Sequence, residues 1–219
     1  MFNTASTFLA RGQPADTEIT RIETLSAHLS DPFAAAALHA LRSDRAMLSA
    51  DYATATDEGI LAAVGLTSES IGLPSALRAA VWGGDVARAR EAHARIDANP
   101  STDPSVAAHR VAMRAGVAAL EGRVDDAIAA YREAMARHRS MGADLAVAQA
   151  ALDLVRLVGG NHPAARDAAV EARGIFERVG AQRYLDLLAA AVAGTGIDAR
   201  PATNGGVSAK RVTTRTTTI

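Results

Sequence analysis

Apolar positions recur at helical spacing along most of the chain, and glycine, proline and Asx residues cut the pattern into segments. Ile19, Ile22, Leu25 and Leu29 share one stripe and predict a helix from Asp16 to about Leu29. Asp31-Pro32 is a cap followed by a first-turn proline, and Phe33, Ala37, Leu38 and Leu41 carry one face on to about Leu48. The next helices are expected from Tyr52 to about Val64, ending at Gly65, and from Ser75 to Trp82, after a break at Gly72 and Pro74. Asp85 opens another to about Ile96, and Asp103-Pro104 opens a longer one to about Glu121. Val124, Ala127, Ile128, Tyr131, Ala134 and Met135 mark the helix after Gly122. Three more follow, from Asp144 to about Val158, Pro163 to about Val179 and Gln182 to about Ala193. No segment alternates with period two, so no sheet is expected.

The punctuation is itself periodic. Gly84 and Gly122 are 38 positions apart, as are Gly122 and Gly160, and Ala89, Ala127 and Ala165 each stand five residues after a turn glycine. A small residue there lets the second helix of a hairpin lie close on the first. A fainter unit turns near Ala50, with Ala55 at the same offset. The expected fold is all-α, an antiparallel helical-hairpin solenoid over residues 16–194, clearest over 70–180. Residues 1–15 are expected to be a poorly ordered lead-in. Residues 195–219, rich in Gly, Ser, Thr and Arg, are expected to be a disordered tail.

Glu121–Ala134, EGRVDDAIAAYREA, resembles the second half of a tetratricopeptide repeat through Gly122, Ala127, Tyr131 and Ala134. That family repeats every ~34 residues, and its early Trp, Leu and Gly are replaced here by Val111, Arg114 and Ala115, which marks a divergent array. The stretch ARGIFERVGAQRYLDLLAAAVA (residues 172–193) is similar to the C-terminal repeat regions of large bacterial signalling ATPases, nucleotide cyclases and transcriptional regulators. The second resemblance implies, as an alternative, a detached regulatory tail of such a multidomain protein.

Composition removes several chemistries. The absence of cysteine excludes disulfides, thiolate nucleophiles and cysteine metal sites. A net charge of −1, with Lys210 the sole lysine, gives no reason to expect nucleic acid. Neither a signal peptide nor a spanning segment is read, so a cytoplasmic location is expected. Gly194-Thr195-Gly196-Ile197-Asp198-Ala199 matches a dinucleotide fingerprint in letters but follows a helix rather than a strand. His28, His39, His93, His109, His138 and His162 form no metal-binding pair at helical spacing. Asp125-Asp126 sits where acids meet a helix dipole rather than as a catalytic pair. No cofactor, metal or catalytic residue is assigned.

The resemblance implies that the first helices of successive hairpins line a concave groove. At the expected register that groove holds Arg78, Val81 and Trp82, then Met113, Gly116 and Leu120, then Leu154, Leu157 and Val158. Such an apolar lining implies a non-catalytic interaction or regulatory module binding an apolar helix or peptide, with no nucleic acid or membrane partner. The guest is a partner protein, a second copy or this chain's own helix from Asp16 to Leu29. The alternative from another class is an enzyme with a small-molecule site inside the array, using His109 or His93.

Overall fold

The structure, a computed structural model, describes residues 2–29, 32–63 and 66–194. Among them every regular element is α-helical: α1 (Phe2–Ala10), α2 (Asp16–Leu29), α3 (Pro32–Leu48), α4 (Tyr52–Ala62), α5 (Leu66–Gly83), α6 (Val86–Ala98), α7 (Pro104–Leu120), α8 (Val124–Ser140), α9 (Asp144–Val158), α10 (Pro163–Val179) and α11 (Gln182–Ala193). No described helix is long and apolar enough to cross a membrane. The expected helix end at Val64-Gly65 and the expected tail at 195–219 lie outside the described residues.

Left-handed residues turn the hairpins. Gly12, Ala50, Gly84 and Gly122 all have positive φ, between 62° and 78°. At each, the chain folds back through a bond reaching five residues upstream, such as Asp85 N–H to the Ala80 carbonyl (2.8 Å) and Arg123 N–H to Ala118 (2.9 Å). Gly142 and Gly180 use the same device between hairpins. The α9–α10 turn differs: positive φ falls on Gly159, and Gly160 lies so close under α11 that an added Cβ would stand 2.3 Å from the Val192 carbonyl oxygen. Side-chain caps start several of the helices that follow: Asp51, Asp85, Asp103 and His162 each accept a first-turn N–H.

The small residue after each turn does what its spacing predicted. Ala55, Ala89, Ala127 and Ala165 are all fully buried, at 0% exposure. The first turn departs from this: Thr17, five residues after Gly12, is exposed, and the buried residue at the start of α2 is Ile19.

Two expectations fail. The segment expected to be a poorly ordered lead-in carries α1, which pairs with α2 around Gly12 as a further hairpin. Its Ala5 is buried, and Phe8 and Leu9 pack on Ile19, Ile22, Leu38 and Leu41. The expected break at Gly72 and Pro74 is absent too, because α5 runs through both. Packing overrides the local signal: a Cβ on Gly72 would meet the Gly59 carbonyl oxygen at 2.5 Å, and one on Gly59 would meet the Ala76 nitrogen at 2.7 Å. The two glycines bring the backbones of α4 and α5 together, a contact worth more than the ladder bond that Pro74 cannot make.

The odd-numbered helices touch in chain order from α1 to α11, and α11 touches α1. They form a closed circuit. Arg183 on α11 reinforces it by donating from Nε to the Leu48 carbonyl at the end of α3 (2.9 Å). α7 and α9 are enclosed, each with nine buried residues distributed around the helix.

Candidate functional site

Polar side chains line the inside of this circuit. Arg78 and Trp82 are one turn apart on α5, and Gln149, Asp153 and Arg156 follow at the four-then-three spacing of one face of α9. Asp153 joins the two helices. Its carboxylate accepts from Arg78 Nε at 3.1 and 2.9 Å and from Trp82 Nε1 at 2.9 Å. The Arg156 guanidinium lies over the Trp82 ring, 4.5 Å from its centroid, and donates from Nη2 to the Tyr52 hydroxyl at 2.9 Å. Tyr184 of α11 stacks on Phe176 and accepts from Gln149 Nε2 at 3.0 Å. Asp44 of α3 completes the set, within the field of Arg78 and Tyr184.

Burial dominates the electrostatics. It pushes the Asp153 carboxyl up, against the opposing pull of Arg78 and the hydrogen bonds. It pushes the Tyr184 hydroxyl to about 12 and the Asp44 carboxyl to about 6, with Arg78 drawing Asp44 the other way. Among the described residues the Asp44 carboxylate accepts no hydrogen bond, and the terminal nitrogens of Arg78 donate none. His109 packs edge-on against His138, with centroids 5.1 Å apart, and burial lowers it to about 4.

Opposite pH trends follow. Raised Asp44 destabilises the fold once ionised, so its contribution is fully favourable below about 3.8 and is lost as pH rises through about 6. Lowered His109 is favourable above about 6.5 and loses that contribution as pH falls through about 4. Asp44→Asn is therefore expected to raise the melting temperature at pH 7.5 and to leave it unchanged near pH 3.5. Melting curves of both proteins across that range check this. A variant less stable than the parent at pH 7.5 would contradict it.

The expected groove is corrected by one residue on α9. Leu154 and Leu157 are buried, at 1% and 5% exposure, while the neighbouring Asp153 and Arg156 face Arg78 and Trp82. Val81 and Met113 are core residues, and Gly116 lies against Val81 and Leu77. Leu120 and Val158 are half-buried against the same core. Arg78 and Trp82 are the two residues of the expected lining that reach the centre, and Trp82 is both a core plug and the platform for Arg156. Val81, Trp82, Met113, Leu154 and Leu157 of the expected apolar lining are thus buried among the described residues, while Leu120 and Val158 keep partial exposure. The helix Asp16–Leu29 does not occupy one either: it packs on α1 and α3. Of the two histidines named for an enzymatic site, His109 packs on the ring of His138.

Surface recesses lie elsewhere among the described residues. One of about 250 Å³ between α8 and α10 is walled by Arg132, Arg139, Asp167 and Glu171 over Met135 and Leu154. Another, of about 410 Å³, lies over α3 between Asp16, Arg42, Arg45 and Glu58. Their charges are largely spent on neighbours, as in Arg139–Glu171 (2.7 Å) and Arg45–Asp16 (3.0 Å). Among the described residues, no group of three or more His, Asp or Glu side chains is placed to hold a metal ion. Compared with known proteins, the chain matches no family model, no curated protein and no solved structure.

Proposed function

We propose that the chain is a non-catalytic interaction or regulatory module of the cytoplasm, built as a divergent tetratricopeptide-like array that turns back on itself. The observation that carries this reading is the recurrence of one hairpin: a left-handed turn followed by a fully buried alanine at Ala55, Ala89 and Ala127. Repetition of a unit that only buries its neighbour builds surface rather than reaction chemistry. The partner contact moves from an apolar groove to the polar centre, where Tyr52, Gln149, Arg156 and Tyr184 keep partial exposure amid buried neighbours.

Arg156 is the residue to test. It contributes a cation–π contact of about 1–2 kcal/mol and keeps partial exposure. With partners first identified by affinity capture of the tagged chain, Arg156→Gln is expected to weaken a genuine partner at least tenfold in direct titration while the helical circular-dichroism signal persists. Equal affinity in the variant would move the contact off the centre. Substrate turnover by the purified chain would overturn the non-catalytic reading.

A further inference from the structure

We infer that the face of α3 beneath the N-terminal hairpin is a docking surface for an acidic amphipathic helix of a partner protein, and that α2 sits there in the partner's place until it is displaced. This rests on the reading of the chain as an interaction module and gives that module a second surface.

The match between α2 and α3 carries the argument. Leu38, Leu41, Arg42 and Arg45 share one face of α3, and Asp16, Ile19, Ile22 and Glu23 share one face of α2. Glu23 accepts from Arg42 Nη2 at 2.7 Å, and Asp16 accepts from Arg45 Nη1 at 3.0 Å. The two pairings run in opposite directions along the helices, with Ile19 and Ile22 buried beside Leu38 and Leu41. Each helix supplies two branched apolar side chains accompanied by two charges, the acids on the guest and the bases on the host. That is helix-in-groove recognition carried out within one chain.

The hairpin is a separable unit. Ala5, Ala15, Ile19 and Ile22 are buried with Leu38 and Leu41 in a cluster apart from the larger core, which continues from Ala46 and Met47 to α11. Among the described residues, Ala10 is the part of the hairpin packed on that larger core. Both ion pairs that tie α2 to α3 reach water, so each is weak and screened by salt. α7 and α9 are enclosed by contrast. A terminal pair of helices with its own small cluster opens while enclosed helices stay folded. Opening uncovers Leu38 and Leu41 with the two arginines beside them. The apolar pair favours a helix over water, and the arginines select acids over bases on that helix.

The probe is a labelled synthetic peptide of residues 2–29, the hairpin itself, titrated by fluorescence anisotropy into the full chain and into two variants that loosen the resident hairpin. Ile19→Ala is expected to bind the peptide roughly tenfold or more tightly than the parent, since the resident helix loses buried contact. Asp16→Asn with Glu23→Gln leaves the apolar cluster intact and is expected to gain roughly threefold. A peptide carrying Asp16→Lys and Glu23→Lys is expected to bind at least tenfold more weakly. Hydrogen exchange of the full chain reads the opening itself. Amides of α1 and α2 are expected to exchange at least a hundredfold faster than those of α7 and α9, and faster still with peptide bound, while α3 stays protected. No peptide binding by the loosened chains, equal binding of the charge-reversed peptide, or exchange in α1 and α2 as slow as in α7 and α9 would each overturn the inference. Dimers of the parent chain formed through exchanged hairpins would also overturn it, because the occupant would then be a second copy. Partner capture that still depends on Arg156 under any of those outcomes would leave the interaction-module reading standing.

Discussion

Asp153→Ala is expected to destabilise the protein by about 3 kcal/mol, the lower end of the range for breaking a buried ion pair, because Arg78 retains some water. The carboxylate is 7% exposed and Arg78 22%, and alanine would remove the acceptor for Arg78 and for the Trp82 indole N–H together. The loss comes mostly from what is left behind: a guanidinium enclosed by α5 and α9 and an indole nitrogen with no partner. A second variant separates that cost from the worth of the pair. Arg78→Met combined with Asp153→Leu removes both charges while filling similar volume, and most of the stability is expected to return. Urea denaturation of the three proteins, compared at constant m-value, gives the answer. A cost below about 1 kcal/mol for Asp153→Ala would mean that the pair does not hold α5 to α9.

Gly72→Ala is expected to cost about 3 kcal/mol, although alanine is the better helix former by ~1 kcal/mol. The steric term wins because the obstacle is backbone: the new Cβ would lie 2.5 Å from the Gly59 oxygen and 2.6 Å from the Ala63 nitrogen. Neither can rotate away, so α4 and α5 must separate along a contact that also includes Ala76. Gly174 supplies the control. It lies within α10, and nothing stands within 4 Å of its added Cβ, so Gly174→Ala is expected to stabilise by roughly 0.5–1 kcal/mol. The opposite signs, read as shifts in melting temperature of the two variants, isolate helix packing from helix propensity. Stabilisation by Gly72→Ala would show that the close crossing does not exist.

The sequence carried the helices well where caps and stripes agreed. Asp103-Pro104 opens α7 as predicted, and the alanines five residues after Gly84, Gly122 and Gly160 are buried as their spacing implies. It carried α1 poorly. FNTASTFLA has no cap, no charge and less than three turns of stripe, so its helicity depends on contacts with α3 and α11 that no local pattern reports. One long-range clue was present: Gly12 stands 38 positions before Ala50, the spacing that relates Gly84 to Gly122. The inward face of α9 was hard to read for a different reason. Five of the seven residues of LDLVRLV are apolar and point in several directions, so their hydrophobicity alone does not orient α9 once it is buried on most sides. The polar exceptions can: a charge inside an enclosed helix must face a partner, and Asp153 and Arg156 share the face that reaches α5. Asp44 was illegible, because an acid in the middle of α3 looks like an ordinary solvated residue until Arg78 and Tyr184 are placed beside it.

The closed circuit sets all of this, since it brings α5, α9 and α11 together around Arg78, Trp82 and Asp153. The absence of native cysteine allows a direct test. A Cβ on Gly12, in the turn after α1, would lie 4.0 Å from the Arg183 Cβ on α11, within the range that a disulfide spans. The double variant Gly12→Cys with Arg183→Cys, although it strains the left-handed position 12 and loses the Arg183–Leu48 bond, is expected to form an intramolecular disulfide under mild oxidation at low protein concentration, giving a faster-migrating monomer on non-reducing gels. Each single variant should give none. Two thiols that stay free and fully reactive to alkylation in the folded double variant would contradict the closed circuit.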